Sequence, residues 1–476
     1  MTVSAGVVAV VLAAGRGSRF GGHKLAATIE GKPVLQHVLD RIADAGIERV
    51  VTVVGPASRD LRLSIRWRGA TRVVNPDPSR GLASSLQVAM AAVPADAPAV
   101  LIVLGDQPYL PVAAVDALLA AGVDEAHPIA VPVYADDRGR NPVLIHRTAF
   151  GLVEATSGDR GLGPLLAAHP ESVRSVEVGP SVGNPDMDTR ADHVRLLTDA
   201  WSRRVRANRE QVDRVREIPD GADFYAPTSS LFRADPLRTD EPALDVLLSL
   251  VRDGETWLDI GAGAGRYALP IARRLAASGG RVIALDPSAS MLASLREQAT
   301  TYALDGVEVV EGRWPPPPED LDRFAADVSL IAHVSYDVED IASFIAAMEG
   351  VTRRRCVAVL MERQPSSIAE VCWPAVWGEE RIALPALPEF VELLRAMGRD
   401  VEVVRISREP RRFASRDELA GFLRRQLWLA EGSAADRRFE AALEGVVVTD
   451  PDGRVGLRGQ AALPIGVATW APGEGS

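Results

Sequence analysis

The chain changes its hydrophobic period repeatedly, and each change marks a handover from one element to the next. Residues 7–14 (VVAVVLAA) form an unbroken apolar run, which predicts a strand covered on both faces. Residues 33–45 (PVLQHVLDRIADA) carry apolar side chains at helical spacing and stop at Gly46. Residues 50–54 and 71–75 predict a second and a third strand, the latter running into the turn Asn75-Pro-Asp-Pro-Ser, and a helix follows over 84–92. Residues 99–104 (AVLIVL) predict another covered strand, ending in Gly105-Asp106-Gln107-Pro108. Strands alternating with helices at this spacing predict an α/β fold with a mostly parallel, doubly wound sheet. Ligands of such sheets sit beyond the carboxyl ends of the strands. The residues that follow 7–14 and 99–104 are therefore the first places to look for chemistry.

The alternation lapses after residue 198. Residues 201–216 (WSRRVRANREQVDRVR) predict an exposed helix, and Asp220-Gly with the proline-bounded segment 227–236 breaks regular structure. We place a boundary near residue 200, giving a first domain over 1–199, a linker with leading helices over 200–243, and a second domain over 244–476. The second domain repeats the alternation. A helix over 242–251 leads to a strand ending at Asp259, then a helix over 267–277, a strand over 281–285 ending in Asp286, and a strand over 326–331 (ADVSLI). Residues 373–428 are mostly helical in pattern, and Trp373, Trp377 and Trp428 in them fit either the cap of a pocket or plain packing. Residues 446–465 predict a closing hairpin with Asp452-Gly at its turn.

Composition narrows the function classes. A chain of 476 residues holds two or three domains, and 47% hydrophobic with 25% charged residues is ordinary for a globular protein. A net charge of −11 argues against a nucleic-acid binder or an anionic-membrane binder. The charge is uneven: residues 1–200 hold 19 basic and 21 acidic side chains (−2), and residues 201–476 hold 34 and 43 (−9). The first part is the better host for a polyanionic small molecule. Cys356 and Cys372 show no metal-like spacing, which points to a reducing, cytoplasmic setting. The seven histidines form no HxH or HExxH pattern, so no structural zinc is expected. The run at 7–14 lacks a basic leader and is too short for a signal peptide, and no stretch reaches the ~20 apolar residues of a membrane span.

The chemistry begins where the first strand ends. Gly15, Gly17, Gly21 and Gly22 are interleaved with Arg16, Arg19 and Lys24. Glycines let backbone N–H groups approach an anion, and a following helix end adds positive potential. Of 53 basic residues outside histidine only two are lysines, Lys24 and Lys32, so a compact point charge is retained at this loop where arginine serves nearly everywhere else. The loop is not a Walker A motif, since no Ser or Thr follows Lys24. It is not a dinucleotide fingerprint, since Phe20 stands where the third glycine belongs. Asp106, at the tip of the strand over 99–104, suits a Mg²⁺ ligand beside phosphates or an N-cap for a helix starting near Pro111. Asp188 carries the same two readings, for a helix starting near Arg190.

Residues 12–25 (LAAGRGSRFGGHKL) resemble the signature of the nucleotidyltransferases that attach a nucleotide to molybdopterin. The resemblance continues in order through Asn75-Pro-Asp, Gly81-Leu-Ala-Ser-Ser-Leu, Leu104-Gly-Asp-Gln-Pro, Gly139-Arg-Asn-Pro-Val, Gly158-Asp-Arg-Gly and Asp186-Met-Asp-Thr, and so covers residues 5–197. Ala13-Ala14-Gly15 is similar to the cytidylyltransferase branch. Phe20, where Met is common, and Asn141, where His is usual, depart from the pattern. The resemblance implies a GT-A-like nucleotidyltransferase domain using CTP, molybdopterin and Mg²⁺. It implies that Lys24 and Arg19 contact the triphosphate, and that Asp106 binds the metal with Asp188 as a second metal or substrate contact. It also implies that Leu12, Ala13, Ala14, Gly15, Gly17 and Ser84 line the nucleotide, and that a molybdenum hydroxylase apoenzyme is the recipient of the product. A sugar-phosphate nucleotidyltransferase and an oxidoreductase on the same fold are the alternatives.

In the second domain the strand ending at Asp259 runs into Gly261, Gly263 and Gly265, and Asp286 follows 21 residues after Gly265. An acidic residue at the tip of the second strand is placed to accept hydrogen bonds from both ribose hydroxyls. Leu258-Asp-Ile-Gly-Ala-Gly-Ala-Gly and Val282-Ile-Ala-Leu-Asp-Pro-Ser resemble the class I S-adenosylmethionine-dependent methyltransferases. That resemblance implies a second Rossmann-like doubly wound sheet binding S-adenosylmethionine through Asp259, Gly261, Gly263, Gly265 and Asp286. Arg313 stands where the family often has an Asp for the adenine amino group, and an arginine cannot accept a hydrogen bond. A domain that binds S-adenosylmethionine without catalysis, or serves as an interaction module, is therefore the alternative. His333 and Tyr336, after the strand over 326–331, are a candidate base and substrate contact, or ordinary lining.

Overall fold

The apolar run at the start of the chain forms the strand Val8–Ala13, whose six residues are all buried. The structure, a computed structural model, describes residues 6–15, 17–56, 59–135, 139–159, 161–179, 183–219 and 235–473. Arg16, Arg160, Asp220-Gly221 and all but the last two residues of 227–236 lie outside the described residues. Contacts divide the chain into two units, Met1–Leu196 and Leu197–Ser476.

In the first unit Val8–Ala13 is an interior strand of a seven-stranded sheet, next to the central strand Ala99–Leu104. The order is Thr71–Val74, Arg49–Val54, Val8–Ala13, Ala99–Leu104, Val143–His146, Ile129–Val133 and Val173–Glu177. The first four run parallel, and Val143–His146 is antiparallel to both its neighbours. Helices Val34–Asp44, Leu82–Met90 and Val112–Ala121 alternate with the strands, as the change of period predicts. Val10, Leu12, Val53, Leu86, Val100 and Ile102 belong to the cluster that closes one face. The strands Val8–Ala13 and Ala99–Leu104 run side by side with Leu12 opposite Leu104, so the glycine-rich loop and Asp106 leave the sheet at the same edge.

The second unit has its own seven-stranded sheet. Its order is Val307–Glu311, Arg281–Asp286, Thr256–Ile260, Ala326–Ala332, Thr352–Met361, Ile465–Trp470 and Glu402–Ile406. The first five strands are parallel, and Ile465–Trp470 is antiparallel to both of its neighbours. Trp257, Leu269, Leu292, Val328 and Val467 pack in one buried cluster.

Three expectations are corrected. The helix expected over 201–216 begins at Arg190, runs to Val215, and is not exposed on every side. Ala200, Trp201, Val205 and Val212 are buried, and Trp201 Nε1 donates to Val338 O at 2.8 Å. Its spacing of apolar residues by three and four is a helical stripe, hidden in the sequence by the arginines around it. The closing hairpin is shorter than expected, pairing Val447–Thr449 with Val455–Leu457, and Ile465–Trp470 joins the main sheet instead. All six of its residues are buried. Finally, the stretch expected to be mostly helical contains the edge strand Glu402–Ile406 among its helices.

Candidate functional site

The loop after Val8–Ala13 folds back on itself. Gly21 N donates to Gly17 O, and Lys24 N donates to Gly22 O at 2.8 Å. Gly17 has φ +59°, and a Cβ there would stand 2.6 Å from Gly22 O, so the turn admits only glycine. The turn delivers Lys24 to the carboxylates beyond the neighbouring strand. Lys24 Nζ is 2.5 Å from Asp106 Oδ2 and 3.0 Å from Asp188 Oδ1. Arg19 Nη1 lies 3.8 Å from Asp188 Oδ2 on a side chain that is 80% exposed. Burial works against the charge on Lys24, but Asp106 and Asp188 outweigh it and hold the ammonium above its usual range.

The two aspartates reach this point by different routes. The helix Val112–Ala121 begins with Pro111 and takes no side-chain cap, so Asp106 does not cap it. Met187 N donates to Asp106 O at 3.1 Å, which brings residues 186–188 against the strand tip. Asp192 Oδ2 accepts from the backbone N–H groups of Asp188 and Thr189, closing the first turn of helix Arg190–Val215 and leaving the Asp188 carboxylate to Lys24. A third carboxylate is nearby: Gln107 Nε2 donates to Asp186 Oδ1 at 2.7 Å, and Asn184 Nδ2 donates to Gln107 Oε1 at 2.9 Å. Burial, then the charge of Asp106, pushes the Asp186 carboxyl above the usual range. The reading of the residues assigned no role to this Asn184–Gln107–Asp186 chain. Its sequence signals were Gln107, next to Asp106 in Leu104-Gly-Asp-Gln-Pro, and the pair of aspartates in Asp186-Met-Asp188.

A divalent cation fits this donor set. Asp106 Oδ1 is buried and has no hydrogen-bond partner. Among the described residues no group of three or more His, Cys, Asp or Glu encloses a metal position. Mg²⁺ does not require one: it is held by one or two carboxylates and keeps water and phosphate oxygens for the rest. The other residues expected near the nucleotide are placed differently from one another. Leu12, Ala13 and Ala14 are buried, at 7%, 4% and 4% exposure. Gly15 is exposed, and a Cβ there would meet nothing within 4 Å. Ser84 is buried; its hydroxyl donates to Gly81 O at 2.8 Å and accepts from Asn75 Nδ2 at 2.9 Å.

The second unit holds a separate arrangement. Gly261, Gly263 and Gly265 have φ of +76°, +53° and +85°. A Cβ on Gly261 would stand 2.4 Å from Val334 Cγ2, whereas one on Gly263 would meet nothing within 4 Å. Asp286 Oδ2 accepts from Gly263 N and Oδ1 from Ser288 N, each at 2.8 Å. An ionised carboxylate has about four lone-pair sites, so this anchoring is compatible with ribose hydroxyls as further donors. Gly312 N donates to Asp286 O, which brings the exposed Arg313 beside Asp286. Asp259 is 3% exposed with Oδ1 unpartnered, and burial followed by repulsion from Asp286 pushes its carboxyl up to about 7.

Beyond the strand Ala326–Ala332 the backbone is strained, with φ +57° at His333 and +91° at Ser335. Tyr336 OH accepts from Met361 N at 2.8 Å and lies 3.4 Å from His333 Nδ1. Burial, with the charges of Arg266 and Arg408, pushes the imidazole down to about 4. Glu241, to which the sequence reading assigned no role, accepts from Tyr267 OH at 2.6 Å and from Arg238 and Arg266 at 2.7 Å each. This ties the start of helix Pro242–Leu250 to the end of the glycine loop.

Comparisons with known proteins match the two parts of the chain separately. The chain is 33% identical over 113 residues to the bifunctional protein GlmU of Listeria monocytogenes, spanning 23% of this chain and 24% of that protein. It thus covers about a quarter of the length of the curated relatives it matches. A crystal structure of Rv0371c from Mycobacterium tuberculosis is similar at 33% identity and a TM-score of 0.37, covering 40% of this chain and 96% of that one. The YcgJ protein of Bacillus subtilis is similar at 14% identity and a TM-score of 0.35, covering 49% of this chain and 99% of that one. Family models match in two places, and on them the chain carries a MobA-like NTP transferase domain at residues 9–173 and a methyltransferase domain at residues 258–355.

Proposed function

We propose that the first domain transfers CMP from CTP to molybdopterin with release of pyrophosphate, and that the second is an S-adenosylmethionine-dependent methyltransferase. The observation that carries the first reading is the Lys24 ammonium held between Asp106 and Asp188 at the end of a glycine turn. The nucleophile is a terminal phosphate of the pterin, already anionic, which attacks the α-phosphorus of CTP. One P–O bond forms as the bond to pyrophosphate breaks. No strong base is needed, so the protein has to position two polyanions and offset the charge that develops. Lys24 and Arg19 take the triphosphate, the backbone at Gly15 and at Gly17 approaches the nucleotide, and Asp106 with Asp188 would hold Mg²⁺. Bound there, Mg²⁺ supplies electrostatic stabilisation of the transferring phosphoryl group. In the second domain Asp286 takes the ribose hydroxyls and the glycines admit the rest of the cofactor.

The two cysteines, free and buried, fit a reducing compartment, and we place the reaction in the cytoplasm. No described helix is long and apolar enough to cross a membrane. A molybdenum hydroxylase apoenzyme is the recipient on this reading. The test is pyrophosphate release with Mg²⁺ and molybdopterin, comparing CTP with GTP and ATP, and molybdopterin with a hexose 1-phosphate. CTP with molybdopterin is expected to turn over fastest, and Lys24→Ala and Asp106→Ala to lower the rate about 10²-fold or more each. Turnover with the hexose phosphate but not the pterin overturns the acceptor, and full turnover in both variants overturns the site.

A further inference from the structure

Lys24 stands where the metal has to go. Its Nζ lies 2.5 Å from one carboxylate and 3.0 Å from the other, with the side chain only 12% exposed. Mg²⁺ binds carboxylate oxygens at about 2.0–2.1 Å, so a divalent ion that Asp106 and Asp188 would hold and this ammonium compete for the same gap. Nor does the ammonium gain by leaning aside: it would give up both ion pairs, with the part-buried Asp106 and the half-exposed Asp188, and face a dication a few ångströms off. It needs a new anion within reach of its four-carbon stem. A diphosphate supplied by the nucleotide is such an anion.

Resting on the assignment of Asp106 and Asp188 as the metal ligands, we propose that Lys24 makes metal binding conditional on polyphosphate. The lysine holds the carboxylate pair closed until a β,γ-diphosphate draws its ammonium away, and the divalent ion enters only then. Asp106 Oδ1, buried and without a hydrogen-bond partner, is an acceptor that a cation would satisfy once the lysine withdraws from Oδ2. The exposed Arg19, which Asp188 holds only at 3.8 Å, is a further cation open to a triphosphate at the loop. Lys24 is thus a specificity-determining residue. It favours ligands with two linked terminal phosphates over monophosphates, and metal with nucleotide over metal alone. When pyrophosphate departs, the ammonium returns to the carboxylates and the ion loses its place. Coupling of this kind is reciprocal: whatever factor polyphosphate adds to metal affinity, metal adds to polyphosphate affinity.

The probe is Mn²⁺, followed through the free-ion electron paramagnetic resonance signal with the full chain. In the absence of nucleotide, Lys24→Met is expected to bind Mn²⁺ about tenfold or more tightly than the wild type, and Asp106→Asn in the same background to lose that gain. Lys24→Gln serves as a second variant, and far-ultraviolet circular dichroism establishes that each protein is folded. Water-proton relaxation then distinguishes ternary complexes from Mn²⁺–nucleotide in solution: the wild type is expected to form one with CTP and none with CMP. Equal Mn²⁺ affinity in the wild type and both lysine variants overturns the gate and leaves the metal site standing. A ternary complex with CMP as strong as that with CTP also overturns the gate. If no protein takes up Mn²⁺ with or without CTP, the metal site itself is wrong and the gate falls with it.

Discussion

Two carboxylates at strand ends, Asp106 part-buried and Asp259 buried, meet different fates. Asp106 has a cation against one oxygen, while Asp259 has a backbone N–H, that of Ala268, and the repulsion of Asp286. The carboxyl of Asp259 is pushed up to about 7, above the ~3.9 of an unfolded chain. Between those values the native state binds the proton and the unfolded state does not, so this group makes the fold less stable as pH rises from about 4 to 7. Asp259→Asn removes the titration and keeps the shape. Its stability relative to the wild type is expected to rise by about 2 kcal/mol between pH 5 and pH 8, read from denaturant midpoints. A constant difference across that range refutes the assignment of the proton to Asp259. What could be read in advance at this scale followed the same logic. Lys24 stood out because lysine is almost absent elsewhere, and Asp106 because an acidic residue ended a covered strand. Asp186, Gln107 and Asn184 did not stand out, because their contact depends on residues 184–188 reaching the strand tip some 80 positions earlier.

Elements were legible where one period ran unbroken. The strands Val8–Ala13 and Ala99–Leu104 and the helix Val34–Asp44 are continuous or strictly periodic, and local pattern alone defines them. Ile465–Trp470 was not legible as a sheet member, since its partners, Thr352–Met361 and Glu402–Ile406, are far off in sequence and its pairing with both is antiparallel. The glycine loop of the second unit makes a prediction at this scale. Gly261 needs to be glycine twice over, for its φ of +76° and for the 2.4 Å that would separate a Cβ from Val334 Cγ2. Valine is stiff at χ1 and cannot swing away cheaply. Gly261→Ala is expected to weaken S-adenosylmethionine binding about tenfold or more by calorimetry. Adding Val334→Ala is expected to recover part of the loss, because the clash is relieved while the backbone strain of about 1 kcal/mol remains. Unchanged affinity in the single variant means the loop does not cradle the cofactor.

At the scale of the whole molecule, each unit closes a sheet and a core of its own, with Val10 and Ile102 in one and Val328 and Val467 in the other. A ligand bound to either native unit raises that unit's stability by mass action, about 2.7 kcal/mol at a hundred times its dissociation constant. The two cradles differ in chemistry. Lys24 with Arg19 suits polyphosphate, and Asp286 suits hydroxyl donors and repels it. Scanning calorimetry is therefore expected to give separate responses: CTP with Mg²⁺ shifts the unfolding of the unit holding residues 9–173, and S-adenosylmethionine shifts the other. Asp286→Ala is expected to erase the S-adenosylmethionine shift and keep the CTP shift, and Lys24→Ala to do the reverse. A variant in one unit that erases the other ligand's response breaks the assignment of one ligand to each cradle. A wild-type chain whose melting ignores S-adenosylmethionine altogether has no working methyltransferase site, and Arg313, which follows the Gly312–Asp286 contact and cannot accept a hydrogen bond, is the first residue to replace with Asp in testing why.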